Sequence, residues 1–285
     1  MKNTLQIRKR LGALALAGAM TGLIGNVQSS VLTGGDAVDQ ASADQILDIV
    51  FVIDTSGSMV DDIAAIGAVA QAAIQNLECP DCDVWVRARF MGITQNTGIF
   101  DENVRSYVLN KGGIPSSNQS EDSGWAVVDL VNNYNFNNDA VGSQQYFKAI
   151  VTIGDEGTED GQPVNAADYT AALAANQAAI NNDVFLFSWV TDDPFAGVET
   201  LFELMAEGGT NPNAPSNGAH VFGDTGGAYV KQGANTGEVQ TRLQEIICIA
   251  ATGGTGGSNV PDAGMTLGLL GMSVLGLHIA RKRIS

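Results

Sequence analysis

The chain has 285 residues, enough for one domain of about 200 residues with extensions at either end. It carries 31 acidic against 14 basic residues, and seven of the basic ones crowd the termini (Lys2, Arg8, Lys9, Arg10, Arg281, Lys282 and Arg283), so the interior is more acidic still. Such a surface repels nucleic acid and anionic lipid and suits cations or partners that bridge through them.

The first 30 residues read as a secretory signal peptide. A charged start is followed by an apolar core over Leu11 to Ile24, with Val27-Gln28-Ser29 as the cleavage site. A membrane anchor is the alternative, though the core is short for one. Residues 31–45 are small and polar and are expected to be a flexible lead. Ile46 to Ile53 is apolar apart from Asp48 and rich in β-branched residues, the pattern of a strand buried on both faces. A short polar loop, Asp54-Thr55-Ser56-Gly57-Ser58, leads into a helix. Its apolar face is marked by Met59, Ile63, Ile66, Ala70, Ala73 and Leu77, with Ser58 as expected N-cap and Asp61 completing a weak capping box.

Further strands are expected at Val84 to Gly92, at Val104 to Leu109 near a sheet edge, at Phe147 to Ile153 and at Val184 to Val190. Arg87, Arg89 and Arg105 read as partners for surface carboxylates. Helices are expected at Gly124 to Val131, Asn165 to Asn182, Gly197 to Ala206 and Gly237 to Ala250. Strands alternating with helices imply a doubly wound α/β fold, with a mostly parallel sheet flanked by helices.

Asp54, Ser56 and Ser58 place one carboxylate and two hydroxyls at alternate positions of a strand-to-helix turn. Ligands of open α/β sheets bind at such turns. Oxygen donors without His or Cys suit a hard divalent cation. Strand, D-x-S-x-S loop and amphipathic helix together resemble the von Willebrand factor type A domain and its metal-ion-dependent adhesion site, over residues 46–251. The resemblance implies Mg²⁺ as the cation, with Mn²⁺ or Ca²⁺ as alternatives. It implies direct ligation by the two serines, with Asp54 and Asp155 acting largely through water; Asp155 ends the strand in Thr152-Ile153-Gly154-Asp155. The family supplies a threonine before its third helix. This chain has none between Lys111 and Trp125, which leaves Ser123 or Asp122 for that position. Thr225 to Tyr229 resembles the turn and short strand that precede the family's last helix, and Glu156, Asp192 and Asp193 stand near strand ends around the expected site.

Three cysteines are present: Cys79, Cys82 and Cys248. The Cys79-Pro80-Asp81-Cys82 run has no helix N-terminus ahead of it for redox chemistry and no histidine for zinc. In an exported protein a structural disulfide is expected. By the fold of the resembled family, Cys248 reaches Cys79 or Cys82; a tight Cys79–Cys82 bridge is the other arrangement.

After a Gly/Ser linker at residues 252–259, residues 260–285 carry Val260-Pro261-Asp262-Ala263-Gly264, an apolar run and a basic end. That order resembles the PEP-CTERM class of C-terminal sorting signals, in a VPDAG variant, and implies processing by an exosortase-type enzyme. A plain membrane anchor is the alternative. Either places the domain outside the cytoplasm, at the cell surface or matrix, or facing the periplasm. No Ser/His/Asp set or paired acid and base is apparent, so a binding or adhesion module is expected rather than an enzyme. Its ligand would be a protein or glycan offering an acidic group. A structural matrix component is the other reading.

Overall fold

The computed structural model describes residues 31–80, 83–100, 102–191, 195–211, 221–232 and 236–254. Its elements run β1 (Leu32–Gly35), β2 (Gln45–Ile53), α1 (Val60–Gln75), β3 (Val84–Gly92), α2 (Val104–Asn110), α3 (Ser123–Asn133) and β4 (Gln145–Gly154). Then follow α4 (Ala166–Asn181), β5 (Phe185–Val190), α5 (Val198–Glu207), β6 (Gly209–Thr210), β7 (Val221–Phe222), β8 (Tyr229–Lys231) and α6 (Thr236–Ala251). Six strands form one sheet in the order β1-β3-β2-β4-β5-β8. Every neighbouring pair is parallel except β1 with β3. The protein is thus α/β with a mostly parallel sheet flanked by helices, an arrangement compatible with a Rossmann-like fold.

Burial explains the apolar runs. β2 lies between β3 and β4, and all its residues after Gln45 are buried. Its side chains alternate between two cores, one on each face of the sheet. Leu47, Ile49, Phe51 and Ile53 join α1 and α6 on one face; Val50 and Val52 join residues of α2, α3, α4 and α5 on the other. Phe51 stacks on Phe90 at 4.4 Å and Phe90 on Phe100 at 4.8 Å, which fills the first core beside α1.

Asp48, the single polar residue of that run, is buried among donors. Arg87 Nε reaches it at 2.6 Å, the Tyr146 hydroxyl at 2.7 Å and the Asn137 N–H at 2.8 Å. Arg87 also pairs with Asp139 and Arg89 with Glu102, as expected of these arginines; Arg105 instead donates to the Ser117 carbonyl.

Three expectations are corrected. Val104–Asn110 is a helix and not an edge strand: Val104, Tyr107 and Val108 fall at helical spacing and are buried, and the Asn103 side chain caps it by accepting the Ser106 N–H. Leu32–Gly35 is not a free lead but an antiparallel edge strand on β3. Ser58 does not cap α1, whose first turn is entered through a 3₁₀ turn with no side-chain cap.

Cys79, just beyond α1, is joined to Cys248 in α6 by a disulfide. Of the expected pairings this is the one formed. Cys82 lies outside the described residues, as do Asp192, Asp193 and both terminal signals.

Candidate metal centre

The site is built where the sheet's winding reverses. After β2 the chain passes through α1 on one face to β3. After β4 it passes through α4 on the other face to β5. The loops leaving β2 and β4 therefore diverge and leave a crevice at the carboxyl ends of two adjacent strands. Asp54 follows β2 directly, and its N–H donates to the Ile153 carbonyl at 2.9 Å. Asp155 follows β4 directly. Gly154 keeps the two ends close: a Cβ there would stand 3.3 Å from Asp54 Cβ, tighter than ordinary contact.

Four of the expected site residues form one continuous string. Asp54 Oδ1 accepts the Ser56 N–H at 2.6 Å; the Ser56 and Ser58 hydroxyls are 2.9 Å apart; the Ser58 hydroxyl donates to Asp155 Oδ1 at 3.2 Å. The hydroxyl expected to cap the helix is thus engaged across the crevice instead.

The loop ahead of α3 closes the third side, where the Thr55 N–H donates to the Ser120 carbonyl at 3.3 Å. The two residues competing for the family's threonine position are used differently. Both carboxylate oxygens of Asp122 are committed to backbone: Oδ2 accepts the N–H groups of Asn118 and Gln119 at 2.6 and 2.8 Å, and Oδ1 accepts that of Asp160 at 3.2 Å. Ser123, the first residue of α3, is buried with its hydroxyl lacking any hydrogen-bond partner, and so is the Thr55 hydroxyl. A buried hydroxyl left unpaired costs free energy, which a ligand at this place would recover.

Electrostatics point the same way. Asp54 is 2% exposed, and burial pushes its carboxyl up to about 8; the Ser56 N–H opposes the shift, while Asp155 and Glu121 add to it. Burial also raises Asp155, against the pull of the Ser58 hydroxyl. Glu156 is raised by burial first and then by Glu121 and Asp155. No ion pair among the described residues joins Asp54 or Asp155 to a lysine or arginine. The two carboxylates, the two hydroxyls strung between them and the buried Ser123 hydroxyl of the adjoining loop are oxygen donors of the kind that suits a small divalent cation, whose charge would stabilise both carboxylates as anions. Among the described residues no three His, Cys, Asp or Glu side chains group as metal ligands; the donors here are mostly hydroxyls.

Sequence reasoning did not single out Glu121 as a member of the rim. It reaches the site only because the loop before α3 folds over Thr55, and a Cβ on Gly161 would meet both Glu156 and Glu121. A scan against protein-family profiles and a search of characterised proteins find no match to this chain.

Proposed function

We propose that Asp54, Ser56, Ser58, Asp155 and Ser123 hold a divalent cation, Mg²⁺ in the first instance. The protein is then an exported, cation-dependent binding module of the von Willebrand factor type A kind. The observation that carries this reading is the Asp54–Ser56–Ser58–Asp155 string, whose two buried carboxylates have no lysine or arginine partner among the described residues. When bound, the cation supplies a positive centre that two carboxylates and neutral hydroxyls leave partly uncompensated, and an acidic group on a protein or glycan adds the missing charge. The signals at residues 1–30 and 260–285 support action at the cell surface or in the extracellular matrix after exosortase-type processing. Intact mass of protein from its native host checks that part: Arg281 to Arg283 should be missing.

One observation favours a second reading. Glu121 and Glu156 add negative charge beside the site, which disfavours an acidic partner and favours a cation, Ca²⁺ included, that only stabilises a structural matrix domain. Binding of the protein to extracted matrix, with and without EDTA, separates the two. The adhesion reading expects EDTA to abolish binding. Binding that survives EDTA while the melting temperature falls supports the structural reading.

A further inference from the structure

At the opposite pole of the sheet lies a cleft of about 970 Å³, at the upper end of the range for ligand pockets, about 300–1,000 Å³. It is formed where β4 and β5 begin, by the segment following α3, the turn after α4 and the turn ahead of β8. Phe147 is the third residue of β4 and Asp155 follows its last. Eight residues of extended chain at about 3.3 Å each put them roughly 26 Å apart, so the cleft is separate from the metal centre.

Two aromatic pairs line the cleft. Tyr134 and Phe136 meet edge-to-face at 4.8 Å, and Phe147 and Phe185 lie 6.0 Å apart at a tilt. The first pair packs against the core of one sheet face and the second against the other, so the rim of the sheet presents aromatic surface on both sides. All four rings are only partly buried. Around them stand short planar polar groups, the exposed Asn135, Asn138, Asn182, Asp183 and Asp224. Among the described residues lining the cleft, Lys148 is the one basic side chain, and it is tied to the Asn182 carbonyl at 2.5 Å.

This combination selects among ligand chemistries. Aromatic faces take up flat apolar surface and weakly acidic C–H groups. Asn138, Asn182 and Asp224 each keep one polar atom in a local backbone bond, and their other polar atoms, with the side chains of Asn135 and Asp183, offer donors and acceptors for hydroxyls. Two carboxylates against one engaged lysine leave the lining negative, which excludes anionic ligands. A pyranose has an apolar C–H face, a ring of equatorial hydroxyls and no charge. We propose that this cleft is a second, metal-independent binding site for a neutral oligosaccharide. The proposal does not depend on the cation reading. Together the two sites would let one domain bridge a neutral glycan at one pole and an acidic group at the other.

The test titrates the full chain, in EDTA, with neutral hexasaccharides (cellohexaose, maltohexaose, chitohexaose and mannohexaose) and with a hexauronate. At least one neutral hexasaccharide is expected to bind and the hexauronate is not. Phe136→Ala should weaken binding about tenfold, one aromatic contact's worth. Asn135→Ala should weaken it several-fold with no change in melting temperature, because Asn135 is exposed and cannot unfold the domain on truncation. Asp54→Ala should leave it unchanged. The proposal is overturned if none of the neutral sugars binds, if the hexauronate binds better, if Asn135→Ala and Phe136→Ala both bind as the parent does, or if Asp54→Ala removes the binding, which would locate the sugar at the metal centre.

Discussion

The Ser58 hydroxyl donates to Asp155 Oδ1 at 3.2 Å across 97 positions of sequence. That bond fastens the loop after β2 to the loop after β4 and gives the two carboxylates of the site unequal surroundings. Asp54 is nearly inaccessible, whereas Asp155 is somewhat more open.

Asp54 should therefore matter more to cation affinity. In calorimetric titration of Mg²⁺, Mn²⁺ and Ca²⁺, Asp54→Ala is expected to lose about 100-fold or more and Asp155→Ala about 10-fold, both with folded far-ultraviolet spectra. Equal binding by the parent and Asp54→Ala would remove the site from this loop.

Ser123 and Asp122 should separate cleanly. Ser123→Ala deletes a buried, unpaired hydroxyl, so it is expected to weaken cation binding while leaving cation-free stability unchanged or slightly higher. Asp122→Ala strips the acceptor from three backbone N–H groups and is expected to cost about 2–4 kcal/mol in denaturant unfolding. A variant pair with the opposite pattern would make Asp122 the ligand.

The pH dependence follows from Asp54. Its folded-state value, pushed up to about 8, lies above the ordinary carboxylate value, so the folded protein holds this proton more tightly than the unfolded chain does. In EDTA the contribution is fully present below about pH 4 and is lost as pH rises toward 8. Stability to urea should fall over that window, and Asp54→Asn should flatten the fall. A cation favours the ionised carboxyl, so Mg²⁺ binding should release protons below pH 8 and tighten as pH rises. An EDTA-treated protein whose stability climbs from pH 5 to 8, with no change in Asp54→Asn, contradicts this.

The strands were legible because parallel strands buried on both faces must be largely apolar, as β2 and β5 are apart from Gln45 and Asp48 in the one and Ser188 in the other. Helix α2 was not, because Val104 to Leu109 is β-branched and aromatic in composition while only its spacing is helical. β1 carries two glycines and no apolar alternation, and it exists through pairing with β3. At the site, Asp54, Ser56 and Ser58 were readable since they lie within five residues of one another, and Asp155 since it ends a strand. The work of Asp122 was not, because accepting backbone N–H groups from residues 118, 119 and 160 depends on how two loops meet.

The Cys79–Cys248 bridge closes a loop of 169 residues, so its loss should cost about 3–5 kcal/mol through the entropy returned to the unfolded chain. Cys248→Ser is expected to show that loss in denaturant unfolding. Non-reducing peptide mapping should find Cys79 joined to Cys248 and a thiol, free or mixed with a small molecule, at Cys82; a Cys79–Cys82 peptide would contradict the pairing.

β1 also bears on how far the chain can be shortened. Four residues, Leu32–Gly35, cover the outer hydrogen-bonding row of β3 from Trp85 to Ala88. An unpaired strand edge is a template for a second chain. Cleavage beyond Gly35 would shed that cover and leave the row from Trp85 to Ala88 without its partner. Those four residues thus belong to the sheet, and trimming them should change solubility before it changes binding.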